Sequence, residues 1–209
     1  MTTRQRQRLS EAERRAQILR ATIAVVAAHG LDGASTNLIA EQARVSKGLI
    51  WHYFADKNDL MKQAVLAALA EIQRKIAAEL DLSMPVPDLL RSAIRWVAAW
   101  STANRAVLTA TNQIARNLRL PDGTPAFSLA DYEELYQLQE ALFRRGQEEG
   151  WFREFDTRVM AVTYQGAVDA MLGYFESHPD VDTDRYATTL ADILLAAMMS
   201  GRSFTQSGA

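Results

Sequence analysis

The stretch VSKGLIWHYFADKNDL, Val45 to Leu60, decides the reading of this chain. Ile50 and Phe54 stand one helical turn apart, so a helix over KGLIWHYF, capped by Ser46, turns both to one side. Lys47, Leu49, Trp51 and His52, with Tyr53 beside them, then point away from that side. A short helix that exposes lysine, tryptophan and histidine needs a reason. A helix-turn-helix supplies one, because its second helix lies in the DNA major groove with its N-terminal residues on base edges. Gly48 then removes side-chain bulk where the backbone nears the duplex. Ser46 and the free N–H groups of the helix start suit a phosphate oxygen. Lys57, opening the next helix, is placed to hold the flanking backbone. The plainer alternative is a solvent-facing helix of a small bundle.

Outward from this stretch the periodicity is helical throughout. STNLIAEQA predicts a short helix capped by Ser35 or Thr36, with Leu38, Ile39 and Ala43 inward, and RVS a tight turn after it. Upstream, SEAE is a capping-box pattern at Ser10 and Glu13 that opens a first helix at about Glu11, stopped by Gly30 and Gly33. Asp56 caps a long fourth helix over 57–79. The break DLSMPVPD, with its two prolines, is the best domain boundary. Five more helices are expected at about 88–102, 105–117, 130–148, 157–177 and 183–200, with Asn104, Asp156 and Thr183 as N-caps and Gly150 just past a helix end. LRLPDGTPAFS is a loop, and the tail SGRSFTQSGA is expected to fray. The fold class is therefore all-α with about nine helices. Residues 1–56 form a three-helix DNA-binding domain, a helix links over 57–80, and 81–209 form a helical regulatory and dimerisation domain.

Composition narrows the function. The 209 residues are 48% hydrophobic and 23% charged, enough to bury a core. A net charge of −2 argues against a general nucleic-acid binder, but residues 1–60 carry +3 and residues 61–209 carry −5. A basic front on an acidic body is the asymmetry expected where one end meets an anionic partner. The absence of cysteine excludes disulfides, thiolate metal sites and a cysteine nucleophile. MTTRQRQRLSEAERR lacks the apolar run of a signal peptide, and no stretch approaches the ~18 apolar residues of a membrane span. A cytoplasmic protein with no membrane partner is the expectation. Residues 61–209 hold one histidine, His178, and no phosphate loop, G-x-S-x-G or H-E-x-x-H pattern. The carboxylate pairs Glu133/Glu134 and Glu148/Glu149 diverge by ~100° on a helix and read as solvated faces. No catalytic residue, metal or cofactor is expected. A scaffold or partner-binding module is the rival, but it has no need of the exposed Lys47–Tyr53 set.

STNLIAEQARVSKGLIWHYFADKNDLM resembles the N-terminal signature of TetR-family transcriptional regulators. The likeness rests on T-x-x-I-A-E-x-A-x-V-S-x-G, on the aromatic run ending at Phe54 and on D-K-x-x-L at the start of the fourth helix, and it covers about residues 10–65. The resemblance implies that Thr36 lies near a phosphate and that Lys47, Gly48 and Leu49 lie at or near base edges. It also implies that Trp51, His52 and Tyr53 make backbone and base contacts and that Lys57 binds a phosphate. Trp51 departs from the tyrosine usual there; its indole donates but does not accept, so it does not replace a phenolic oxygen as acceptor. Arg4, Arg6 and Arg8 are either a minor-groove arm or a solvated tail.

In the body, Trp96 and Trp100 lie one turn apart and either line a pocket or fill a core. Asp169 interrupts an apolar helix, where it pairs with an arginine or serves as counter-charge in a pocket for a small apolar or cationic effector of unknown identity. The eighth helix carries a bulky face, Met160, Tyr164, Val168, Met171 and Phe175, and a small-residue seam, Gly166, Ala170 and Gly173. The ninth adds an apolar stripe that includes Leu190, Ile193 and Leu194. Tyr164, Val168, Met171, Phe175, Leu190 and Leu194 are expected at a four-helix homodimer interface. The resemblance implies the same arrangement: a dimeric, ligand-responsive repressor on a near-palindromic double-stranded DNA operator.

Overall fold

A computed structural model describes residues 9–200; Arg4, Arg6, Arg8 and the tail after Ser200 lie outside the described residues. Among the described residues there are nine α-helices: α1 (Glu11–Gly33), α2 (Thr36–Gln42), α3 (Lys47–Tyr53), α4 (Lys57–Glu79), α5 (Val86–Ala103), α6 (Arg105–Asn117), α7 (Glu133–Glu148), α8 (Thr157–Ser177) and α9 (Thr183–Met198). A 3-10 turn, Leu129–Tyr132, precedes α7. The all-α expectation holds, with two isolated β-bridges as the extended pairings among these residues.

Local chemistry sets most of the helix ends. Ser10 Oγ accepts the Glu13 N–H at 3.2 Å while the Glu13 carboxylate accepts the Ser10 N–H at 2.7 Å, so the capping box of α1 is complete. Gly30, at φ 71 and ψ 170, breaks the helical track before a last turn to Gly33. Asp56 caps α4 through the Asp59 N–H at 2.8 Å, and the Asp59 carboxylate returns a bond to the Ala55 N–H at 3.0 Å. Two expected side-chain caps are displaced. Asn104 keeps the position before α6, its carbonyl accepting the Leu108 N–H at 3.1 Å, but its side-chain amide turns back to the Trp100 carbonyl at 2.9 Å and closes α5. Asp182, not Thr183, accepts from the Arg185 N–H and opens α9, because its carboxylate is the stronger acceptor one residue earlier.

The chain divides into two compact units, one of residues up to Ala70 with Thr109–Phe127, the other of Glu71–Leu108 with the chain from Ser128 onward. The division falls inside α4 and α6, not at the proline-containing break between α4 and α5. That break belongs to the second unit, where the Arg145 guanidinium donates to the carbonyls of Leu82 and Met84, both at 2.8 Å. Prolines end a helix locally, but what grips the loop afterwards is a long-range matter. Thr109–Phe127, expected in the C-terminal domain, likewise joins the first unit. There the Asn58 amide donates to the Arg119 carbonyl at 2.9 Å and the Lys62 ammonium lies 5.8 Å from the Phe127 ring.

In the first unit α1 packs on α2 and α2 on α3, with Ile18, Val26, Ile39 and Ile50 almost wholly enclosed. Each such side chain contributes about 1.5–3 kcal/mol. In the second unit α5 lies along α9 and α7 along α8. Val86, Leu90 and Ile94 share a core with Ala187, Ala191 and Leu195, and the Phe143 ring meets Tyr164 edge-on at 5.8 Å. Arg91–Asp192 and Arg95–Asp184 tie α5 to α9 at the rim. Here the expected dimer residues are corrected. Tyr164, Val168, Met171, Phe175 and Leu194 are buried in this core and Leu190 is packed against it. The bulky face of α8 fills its own unit, because the volume between the helices of one protomer needs those side chains.

Candidate nucleic-acid interface

The site is built on a helix of seven residues, too short to stand alone and held by what it buries. Ile50 is fully enclosed and Phe54, leaving the helix in an extended conformation, is 2% exposed. The Arg15 guanidinium from α1 lies 5.2 Å from the Phe54 ring, which fixes the C-terminal end of α3. At the other end Ser46 Oγ accepts the Leu49 N–H at 3.2 Å. Its hydroxyl is therefore engaged in capping the helix. Lys47, Gly48, Trp51 and His52 are exposed, and Leu49 and Tyr53 are half-buried. His52 and Tyr53 meet edge-on at 5.2 Å. Ile50 and Phe54 thus anchor one side of α3, as their spacing predicts.

Gly48 is informative because nothing in the fold demands it. A Cβ built there meets no atom within 4 Å, and its φ lies outside the left-handed region. Gly146 in α7 is the opposite case, since a Cβ there falls 2.3 Å from a Phe152 ring carbon. Thr36 is half-buried as the first residue of α2, and the N-cap is Ser35, whose hydroxyl accepts the Leu38 N–H at 3.3 Å. Lys57 is exposed at the start of α4. The acids nearest to it in sequence, Asp56 and Asp59, both accept backbone N–H groups at the α4 cap.

The turn between α2 and α3 carries one residue that local sequence patterns do not mark out. The Val45 N–H reaches back to the Ala40 carbonyl at 3.0 Å and the Arg44 N–H to Glu41 at 2.9 Å, the paired bonds of a Schellman turn. Arg44 therefore sits at the left-handed position, with φ 52. The Gln17 amide pins the same turn to α1 by donating to the Ala43 carbonyl at 2.8 Å. The Arg44 side chain is exposed and makes no hydrogen bond or ion pair with any described residue. The one available signal is a helix end at Gln42 with no glycine in the three residues after it.

The residues expected to line an effector pocket are not brought into one cluster. Trp96 and Trp100 stack on each other at 6.4 Å and 14° between planes, and Trp96 Nε1 donates to the Glu79 carboxylate at 2.6 Å. Trp100 Nε1 is buried without a hydrogen-bond partner among the described residues. Asp169 accepts from the Gln165 amide at 2.8 Å, and Gln165 accepts from Gln139 at 2.8 Å, so its partner is an amide chain from α7 and not an arginine. Burial pushes the Asp169 carboxyl up from its ordinary value against the opposing Gln165 bond, and its charge adds to the burial that raises the Tyr132 and Tyr136 phenols. Arg158 is held instead by Glu133 and Glu140. A small open niche elsewhere in the second unit is lined by Ser101, Thr102, Arg105, Leu108, Phe175 and Glu176.

Residues 18–64 match the family described as bacterial regulatory proteins, tetR family. The transcriptional regulator BetI of Proteus mirabilis is 32% identical over 107 residues, covering 43% of this chain and 54% of that protein. BetI of Pseudomonas aeruginosa PAO1 is 43% identical over 108 residues with the same coverage. The chain thus spans about half the length of the curated relatives it matches. The transcriptional regulator FadR of Bacillus subtilis, solved in complex with stearoyl-CoA, superposes with a TM-score of 0.72 at 17% identity, covering 87% of this chain and 97% of that one. That likeness, over 87% of the chain, reaches well beyond residues 18–64. Residues 18–64 thus carry a TetR-family helix-turn-helix, and the chain has the fold of the solved regulator.

Proposed function

We propose that this protein is a DNA-binding transcriptional regulator, a repressor that acts as a homodimer on a near-palindromic operator. One observation carries the reading. α3 is anchored by buried Ile50 and Phe54 and offers Lys47, Gly48, Trp51 and His52 outward, with no need of them inside the fold. Lys47 and Gly48 at the helix start take the base edges, Trp51, His52 and Tyr53 add base and backbone contacts, and Thr36 and Lys57 hold phosphates on either side. Such a reader of chromosomal DNA works in the cytoplasm, and no helix among the described residues is long and apolar enough to cross a membrane.

The dimer uses the outward faces of α8 and α9. Val159, Val162 and Tyr174 are exposed on α8 and Ile193 is 61% exposed on α9. Gly166 faces open space, so another helix can approach there. Two such protomers present reading helices about 34–36 Å apart, one turn of DNA. The second unit takes a small apolar or cationic effector that lowers operator affinity by binding the non-fitting spread of the reading helices better.

The test is selection of duplexes from a random-sequence pool, followed by titration of the selected duplex at several salt concentrations. A wild-type protein that enriches a palindrome, with affinity falling steeply as salt rises, supports the reading. Lys47→Ala is expected to weaken that duplex by about 1–3 kcal/mol without lowering the melting temperature. Failure to enrich any sequence, or unchanged affinity in Lys47→Ala, refutes the role given to α3.

A further inference from the structure

We infer that Arg44, in the turn between α2 and α3, is a phosphate-binding residue of the DNA interface, placed by the left-handed conformation that the turn imposes on it. The inference rests on the DNA-binding reading above and adds a contact to it.

The two backbone bonds of the turn, Val45 to Ala40 and Arg44 to Glu41, require the residue between Ala43 and Val45 to adopt positive φ. Glycine does this without a clash, and asparagine with little, whereas a side chain with a full Cβ is strained there. The chain nevertheless carries arginine at φ 52. A strained residue persists when the surroundings impose it or when its side chain has work elsewhere. The fold does not use this side chain: it is exposed, and it forms no hydrogen bond or ion pair with any described residue. Glycine would satisfy the turn better. What the arginine adds is a guanidinium on a long arm, three residues before Lys47.

Position specifies what that guanidinium meets. Three peptide units span at most about 11 Å, so the Arg44 Cα lies within that distance of the Lys47 Cα. Gln17 anchors the turn itself through the Ala43 carbonyl, so Arg44 projects from a fixed platform. With the N-terminal end of α3 on base edges, the turn just before it stands at the wall of the groove, where phosphates line both sides. A planar guanidinium suits a phosphate in bidentate fashion. Glu41, exposed near the end of α2, forms no ion pair that would hold Arg44 back from the duplex. The residue therefore positions the reading helix and does not itself select sequence.

The probe is the duplex enriched by the wild-type protein from a random pool, and the variants are Arg44→Gly, Arg44→Asn and Arg44→Lys. Arg44→Gly and Arg44→Asn should melt at or above the wild-type temperature. They should bind the duplex roughly 3–10-fold more weakly near 0.1 M salt, with the slope of log affinity against log salt shallower by about one per bound protomer. Their sequence preference in a repeated selection should be unchanged. Arg44→Lys should keep the wild-type slope, because it keeps the charge. Wild-type affinity and slope in Arg44→Gly would overturn the inference while leaving the role of α3 intact. A lowered melting temperature in Arg44→Gly would also overturn it, since the side chain would then be serving the fold. A wild-type protein that enriches no duplex removes the DNA-binding reading and this contact together.

Discussion

At the scale of single residues, the distinction that matters is between side chains the fold requires and side chains it leaves free. Gly48 is free of any constraint within the chain, as a Cβ there meets nothing within 4 Å. Gly48→Ala is therefore expected to leave the melting temperature unchanged or raise it slightly, alanine being up to about 1 kcal/mol better than glycine in a helix. On the proposed DNA-binding reading the added methyl would stand toward the base edges, so the variant should weaken the selected duplex at least several-fold. Paired thermal melts and gel-shift titrations separate the two effects. Asp169 is the reverse case: its side chain reaches solvent, yet the groups packed around it still hold its carboxyl above the ordinary aspartate value. Its carboxyl is raised by burial, so the folded protein keeps the proton to higher pH than the unfolded chain does. Stability consequently falls as pH climbs from the ordinary aspartate value of 3.8 through the raised one, and the ionised form carries the whole penalty above that interval. Asp169→Asn, which retains an acceptor for Gln165, should raise the melting temperature at neutral pH. The gain should shrink toward zero as pH falls below 3.8. A gain that is constant across pH would show that ionisation is not its cause.

At the scale of elements, close approach is the decisive feature of α7. Gly146 lies where the Phe152 ring covers the helix, with ring carbons 2.3 and 2.5 Å from the place of an added Cβ. Phe152 is itself 4% exposed and packs at 6.1 Å from Phe155, so its ring has little room to withdraw. Gly146→Ala should destabilise by about 1–3 kcal/mol of overpacking, less up to about 1 kcal/mol returned by helix propensity. Chemical denaturation followed by circular dichroism reads this directly. The smaller Phe152→Leu placed in the same chain should restore part of the loss. The two displaced caps belong to the same scale. Asn104 and Thr183 are both good capping residues by type, yet Asn104 closes the helix before it and Asp182 takes the cap one position ahead of Thr183. Composition near a boundary narrows the cap to two or three residues, and the backbone path selects among them.

At the scale of the whole molecule, α8 and α9 each have two apolar sides, and only one of them is used within a protomer. Leu194 is buried in the second unit, while its neighbour Ile193 is 61% exposed. The pair allows assembly to be separated from folding. Ile193→Glu should leave a folded protein, judged by circular dichroism, that is monomeric by light scattering at micromolar concentration. Leu194→Glu should instead lose about 3 kcal/mol or more of stability, because it buries an unpaired charge. A folded Ile193→Glu protein that remains dimeric would move the interface away from this face of α9.

Residue order alone dictates whatever depends on partners within about one turn of helix. The capping box at Ser10 and Glu13, the Asp156 cap of α8, the glycine past α7 and the burial of Ile50 and Phe54 all follow from spacing and residue type. The exposure of Lys47, Gly48, Trp51 and His52 follows in turn from the inward pair, while Leu49 and Tyr53 at the edges of that side stay half-buried. Which of several apolar or polar faces meets which remote partner is settled by long-range packing. Periodicity marks Tyr164, Val168, Met171, Phe175 and Leu194 as a stripe, but a stripe looks the same whether another helix of the same protomer or a second copy covers it. Asp169 is conspicuous in an apolar helix, yet its partner is an amide from the preceding turn linked to Gln139 on α7, which no local pattern names. Thr109–Phe127 joins the first unit through Asn58 and Lys62, some sixty positions away in sequence. The left-handed backbone of Arg44 belongs to the same class. Hydrogen bonds and packing across the α2–α3 turn impose it against the preference of the residue itself, and that conflict singles Arg44 out as a residue whose use lies outside the fold.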